Sequence, residues 1–242
     1  MAERVAVVSQ PMFIPWIGLF DQVRLADDFV HYDDVQLPQG RSFMNRVQIK
    51  TDQGVRWLTA PIDRERSGVM IGDVRMCPAS TWRPKHLRTL QQTLARAPHA
   101  DLAMTLAERI YDIRTDSLAE FNIQTIEEVA RWLGLAPRFL RSSTLGLPGS
   151  SSERLLRICK GLGASTYLTG HGAFRYLDHE LFDSHGVQVR YMRYACEPYP
   201  QSHGPFTPYV TVLDAVAHRG ASARDLLLST TVEWRAHVPL SA

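Results

Sequence analysis

The side chains whose types and spacing could do chemistry in this 242-residue chain are few: a pair of carboxylates, one amide, a short run of cations and two histidines. Asp33 and Asp34 stand together in "YDDVQ". Paired carboxylates hold a metal, act as a general base, or accept hydrogen bonds from sugar hydroxyls or an ammonium group. Their other common use is turn chemistry, in which aspartates bond backbone N–H groups. Successive residues of a strand point opposite ways, so one of the two should face a site, and the sequence leaves open which. Gln10 ends an apolar run, where an amide needs partners if it is buried. "GRSFMNRVQIK" supplies Arg41, Asn45, Arg46 and Lys50. Arginine forks match phosphate oxygens, and if Arg46 opens a strand, Gln48 and Lys50 share its face; a charged hairpin edge is the alternative use of such a stripe. His171 lies in "TGHGA", where Gly170 and Gly172 would let a ligand approach the backbone closely. His86 sits in a helical stretch from Trp82 to Arg96.

The pattern of elements puts several of these groups on one edge. Arg4 to Ser9 reads as a strand, Ile17 to Asp27 as a helix with Ile17, Phe20, Val23 and Arg24 at helical spacing, and Asp28 to Tyr32 as a second strand. A βαβ unit is parallel and right-handed, with ligands beyond the carboxyl ends of its strands, so Gln10 and Asp33 belong to the same edge. The connection between them, "QPMFIPW", is rich in proline and large aromatics, and Phe13 and Trp16 are expected to wall a dry pocket there. Arg46 to Thr51 and Val55 to Ile62 form a hairpin across Gly54, and Val69 to Met76 is a further strand candidate. Residues 81–134 are helical in three segments, the second opened by Pro98 and the third by Asp116 and Ser117. The α/β rhythm returns with strands at Arg138 to Arg141, Thr166 to Thr169 and Val187 to Met192. Between them come helices at Ser152 to Leu162, whose Ser150 and Glu153 have capping-box spacing, and near Asp178 to Ser184. From Ala221 onward a helix and a tail are expected. The whole reads as a single compact domain, with residues 1–78 and 136–220 an α/β core and 79–135 a helical insert or cap.

Composition bounds the function classes. Lys and Arg number 27 against 25 Asp and Glu, for a net charge of +2, so any anion is held locally and DNA binding is not expected. Three widely spaced cysteines show no framework, and the first residues lack the apolar length of a signal peptide or membrane span, so a cytoplasmic chain without membrane insertion is expected. His179 and Asp183 lie one helical turn apart and His185 follows, but they lack further ligands, so no metal site is assigned. Neither a nucleophile elbow nor a Walker loop is present.

"QPMFIPWIGLFDQV", "ADDFVHYDDVQ", "SFMNRVQIKT", "WLTAPI", "WRPKHLRTL" and "RLLRICKGLGASTYLTGHGAFRYLD", followed by "YPQ" and "FTPY", resemble the WbqC-like protein family in this order. The resemblance runs from Val5 to about Gly220. It implies a role in O-antigen, other glycan or natural-product biosynthesis, and a glycine or aminoacyl transferase has been proposed for the family. The motif positions that correspond include Gln10, Phe13, Asp33, Asp34, Asn45, Arg46, Lys50, His86, Tyr167, Gly170 and Gly172. Ser9 stands where many members have a histidine. In fold, the chain is similar to the Rossmann-like parallel sheet of the nucleotidylyltransferase superfamily, although the H-x-G-H element that grips ATP phosphates there has no counterpart here.

The expected function is therefore aminoacyl or acyl transfer that forms an amide on an amino sugar or small-metabolite amine. The donor is aminoacyl-tRNA or an ATP-derived aminoacyl adenylate, ATP entering only by the second route. Asp33 or Asp34, aided by His86, would be the base. Asn45 and the backbone near Gly170 to Gly172 would donate to the oxyanion, Arg46 and Lys50 would grip phosphate, and Gln10, Phe13, Trp16, Tyr167 and His171 would line the site. A non-catalytic protein that escorts a nucleotide sugar or amino acid is the alternative.

Overall fold

Runs of β-branched and aromatic residues with no polar face, such as VAVVS, DFVH and TYLT, suit strands covered on both sides. A computed structural model describes residues 3–38, 42–63 and 68–237. In chain order, its strands are β1 (Val5–Ser9), β2 (Asp28–His31), β3 (Arg46–Thr51), β4 (Gly54–Thr59), β5 (Arg138–Arg141), β6 (Thr166–Thr169), β7 (Gln188–Arg193) and β8 (Thr230–Glu233). Six of them form one sheet in the order β5-β2-β1-β6-β7-β8, parallel except for β8; β3 and β4 form a separate antiparallel hairpin.

The helices are α1 (Ile17–Leu25), α2 (Ala79–Leu94), α3 (Ala100–Tyr111), α4 (Leu118–Trp132), α5 (Ser142–Leu145), α6 (Ser151–Gly161), α7 (His179–Ser184) and α8 (Val212–Arg219). Strand alternation divides the core in two. Ala6, Val8, Val30 and Tyr167 pack with Leu155, Ile158 and Phe182 of α6 and α7. Val7, Phe29 and Leu168 face the other way, onto a larger core that draws Phe20 from α1, Val47 from the hairpin, Phe121 from α4 and Val216 from α8. No helix of the described residues is long and apolar enough to cross a membrane.

The structure departs from the sequence-based expectations in three places. Val69 to Met76 is not a strand: a 3-10 turn, Ile71–Asp73, sits between isolated bridges at Met70 and Met76. At the C-terminal end the α-helix precedes Ala221, and the chain continues through a 3-10 stretch, Gly220–Leu226, into β8. The four residues Thr-Thr-Val-Glu are strand because β7 offers them an edge, not because their own pattern demands it. The start of α6 falls as expected, yet Ser150 makes no side-chain capping bond and Glu153 lies 3.8 Å from Arg157 instead.

One ionic knot ties the amino-terminal edge of the sheet. Asp28 is fully buried at the start of β2; Arg4 Nε donates to its Oδ2 at 2.7 Å and Arg138 Nε to its Oδ1 at 2.6 Å. Burial pushes its pKa up, but the two guanidinium groups outweigh burial and hold the carboxyl below its ordinary value. Asp28→Ala would strand two cations that are only half-buried and can rehydrate. A loss of about 1–3 kcal/mol in urea unfolding is expected; a change of a few tenths would show that the knot is ornamental.

Candidate functional site

Strand order decides where a site can form. α1, which follows β1, packs on the larger core, whereas α7, which follows β6, packs on the opposite face through Phe182, so the two connections diverge and leave a gap beyond the carboxyl ends of β1 and β6. A cleft of about 760 Å³ opens there, lined by Gln10, Gln22, Tyr167, Gly170, His171 and Tyr194, with Tyr32, Ser151 and Tyr176 across from them. The volume suits a small molecule. Gln10 makes no side-chain hydrogen bond among the described residues, so its amide is free to meet a ligand.

The proline-rich loop anchors this edge from behind. Asn122, fully buried on α4, donates through Nδ2 to the carbonyls of Pro11 at 2.9 Å and Met44 at 2.7 Å. Phe13 is fully buried and stacks on Phe121 at 5.6 Å, so it belongs to the core and does not wall the cleft. Ile14, also fully buried, has φ +37°, a costly conformation for a β-branched residue that the surrounding packing enforces. Trp16 lies flat over Gly18, where an added Cβ would stand 2.1 Å from the indole, and it lines a second, adjoining cavity.

The proposed base and phosphate groups fall elsewhere. β2 ends at His31, so Asp33 and Asp34 lie in the following turn and strand alternation does not govern them. Both turn toward the start of α5. Asp33 accepts from the Ser143 N–H at 3.0 Å and the Ser143 hydroxyl at 2.7 Å, and the Ser142 hydroxyl lies between the two carboxylates. Asp34 also pairs with Arg154 of α6. Burial raises its pKa, but Arg154 and Ser142 more than offset this and hold it below the ordinary value.

His86 is buried among Trp82, Phe13 and Tyr111. Its Nε2 lies 3.1 Å from the Thr59 carbonyl, which can only accept, so Nε2 carries the proton and Nδ1 accepts from the Tyr111 hydroxyl at 3.0 Å. Burial depresses its pKa to about 4, against a smaller upward pull from that carbonyl. Its lone pair is spoken for.

The basic stripe does not converge on the cleft either. Asn45 donates to the Ala60 carbonyl at 3.2 Å, and Arg46 lies over the Trp57 ring at 4.6 Å. Lys50 is buried, with Nζ donating to Gly204 O at 2.7 Å and Gln201 Oε1 at 3.1 Å. Arg41 lies outside the described residues. The structure thus gathers Gln10, Tyr167, Gly170, His171 and Gly172 at the cleft and places Trp16 beside it, while Asp33, Asp34, His86, Phe13, Asn45, Arg46 and Lys50 are absent from its lining.

His171 and Tyr194 line both cavities. Burial lowers the His171 pKa, favouring the neutral imidazole. Its Nδ1 is 3.4 Å from His237 Nε2 in a stacked pair of rings 4.9 Å apart, and Nε2 makes no hydrogen bond among the described residues. Gln22 Nε2 donates to the Tyr194 hydroxyl at 2.6 Å, which leaves the phenolic proton for another acceptor; burial pushes the Tyr194 pKa up, so the phenol stays protonated. Gly170 makes room for this pair: a Cβ there would meet Tyr194 Oη at 3.3 Å. Gly172 has nothing within 4 Å of a built Cβ and answers to no such constraint. Sequence reasoning passed over Gln22 and Tyr194. Tyr194 could have been found by extending the strand-end rule to β7, but Gln22 had no signal beyond being polar on an apolar helix. Among the described residues no three His, Cys, Asp or Glu side chains converge as a metal set.

The chain matches the WbqC-like protein family over residues 10–226. It is similar to a protein of Mycobacterium tuberculosis (strain ATCC 25618 / H37Rv) named "Uncharacterized protein Rv1507c", 32% identical over 228 residues that make up 93% of this chain and 97% of the relative. No solved structure matches it.

Two measurements probe this arrangement. The folded pKa of His86, about 4, lies below the unfolded value of 6.5, so between them the unfolded chain binds the extra proton. Its stabilising contribution is whole above pH 6.5 and should fall by roughly 3 kcal/mol as pH drops to 4. Urea titrations should show a correspondingly shallower acid decline for His86→Gln; identical slopes would refute the buried neutral tautomer. Gly18→Ala must displace the Trp16 indole and should cost about 1–3 kcal/mol, against a gain of a few tenths if the ring were free to move.

Proposed function

The chain belongs to the WbqC-like protein family, and from that premise we propose a biosynthetic enzyme that forms an amide, transferring an acyl or aminoacyl group onto the amine of an amino sugar or small metabolite in the cleft beyond β1 and β6. The observation that carries this reading is His171: of the side chains lining the cleft, it is the one whose ordinary pKa lies near neutrality, and burial favours its uncharged form with Nε2 unbonded. The attacking amine adds to the activated carbonyl and gives its proton to His171. The oxyanion is met by the Tyr194 hydroxyl, already polarised by Gln22, and by the Gln10 amide. Collapse restores the carbonyl, expels the activating group and leaves the amide. This scheme moves the base from the aspartates to His171 and the oxyanion donors from Asn45 to Tyr194 and Gln10, because the earlier candidates already have partners.

The switch between β1 and β6 supports a Rossmann-like core akin to that of the nucleotidylyltransferases. The donor is an aminoacyl adenylate made from ATP or an aminoacyl-tRNA. For the second, α2 offers Lys85 and Arg88 and the turn after it Arg96 as exposed cations, whereas Arg83 is buried and donates to the carbonyls of Tyr111, Ile113 and Thr115. A specific observation also favours the non-catalytic escort: neither carboxylate of the acidic pair lines the cleft.

Purified protein given amino acids, ATP or charged tRNA, and an amino-sugar acceptor should yield an amide detectable by mass. His171→Asn should lower kcat/KM by about 10²- to 10⁴-fold, with the unfolding midpoint little changed. Because burial lowers the His171 pKa, the midpoint of the acid decline in the wild-type rate should lie below that of an unburied histidine. Reversible binding of the acceptor without product from any donor would establish the escort instead.

A further inference from the structure

Beside the cleft lies the second cavity, about 540 Å³, and its walls differ in kind. Trp16, Tyr194 and Tyr209 line it as one aromatic cluster: the Trp16 ring centroid is 4.9 Å from that of Tyr194 and 5.2 Å from that of Tyr209, both at steep angles, so ring faces and edges are presented together. Such faces hold a planar ring by stacking and edge contact. Aromatic boxes also capture cations, so the charge at the rim decides the class. Among the described residues no carboxylate lines this cavity, and Arg193 does. The Arg193 side chain has no hydrogen bond or ion pair among the described residues, unlike Arg24 close by, which is engaged by Asp21 and the Ser229 carbonyl. Asp21, the acid behind the wall, is itself committed to Arg24 and the Ser229 hydroxyl. Arg193, Tyr194 and Cys196, at and just after the end of β7, all line this hollow, and Cys196 has the positive φ of +47°.

We infer that this cavity is a second ligand subsite for a nucleoside phosphate, the base held by Trp16, Tyr194 and Tyr209 and the phosphate by Arg193. His171 and Tyr194 are the partition between it and the cleft, so two ligands bound side by side would meet across one imidazole and one phenol. The inference rests on the cavity walls and is independent of the amide chemistry proposed above.

Isothermal titration of the full chain with adenosine 5′-monophosphate, adenosine and inorganic phosphate tests it. The nucleotide should bind with Kd below about 1 mM and more tightly than either fragment. Tyr209→Ala should weaken both adenosine and the nucleotide about tenfold. Arg193→Gln should bring the nucleotide down to the affinity of adenosine, while Arg56→Gln on the exposed face of β4, a charge control, should change nothing. Trp16→Ala should act like Tyr209→Ala, but as Trp16 packs on Gly18 the half-exposed Tyr209 is the safer variant. No nucleotide binding, or binding weakened equally by Arg193→Gln and Arg56→Gln, overturns the subsite. Nucleotide binding without amide formation would remove the transferase proposal and leave the subsite standing; amide formation without such binding would do the reverse.

Discussion

Everything about the site follows from one constraint: a parallel sheet must send its crossover helices to its faces, and where two adjacent strands send theirs to opposite faces the gap beyond their ends stays open. β1 and β6 are that pair. Their register, Val5 with Thr166 through Val7 with Leu168, brings the exit of each strand to the same level, so Gln10 and Gly170 emerge side by side. The larger core then braces the edge: the loop after β1 is nailed by Asn122, by Phe13 stacked on Phe121, and by the Val212 N–H donating to the Pro15 carbonyl at 2.9 Å.

Hydrogen-bond satisfaction explains why so many polar side chains were not free for chemistry. A buried donor or acceptor without a partner costs more than a made bond returns. Asp33 and Asp34 therefore settle onto the hydroxyls and amide at the start of α5 and onto Arg154, and His86 bridges Thr59 to Tyr111. Arg83 gathers three carbonyls beyond α3, and Lys50 closes the loop around Gln201 and Gly204. These residues hold β4, α2, α3 and the C-terminal segments together. Gln10, the Tyr194 phenol, His171 Nε2 and Arg193, all at the two cavities, keep bonding capacity that the candidates named first have already used.

The aromatic content of the opening loop has a divided purpose. Phe13 and Ile14 are fully buried and give the loop its footing, at the expense of an unfavourable φ at Ile14. Trp16 faces the other way and becomes a cavity wall, which is allowed only because residue 18 has no side chain. Rigid footing and a rigid wall within four residues fix the exit from β1, and Gln10 just before them.

The ordered sequence blocks by themselves marked the family, and the sequence also determined the parallel βαβ core with its hairpin, most element positions, and the placing of Gln10 and the glycine-bearing strand end on one edge, because periodicity, β-branching and strand polarity are local properties that survive translation into three dimensions. It could not tell which face of the turn Asp33 and Asp34 would take, since the strand stops at His31 and alternation stops with it. It could not foresee β8 either, whose residues are extended only because β7 presents unpaired backbone. Nor could it place Tyr194, Tyr209 and His237 beside His171, as those contacts join segments tens of residues apart. Which polar groups are spent and which are spare is a property of pairing, and only the tertiary structure decides pairing.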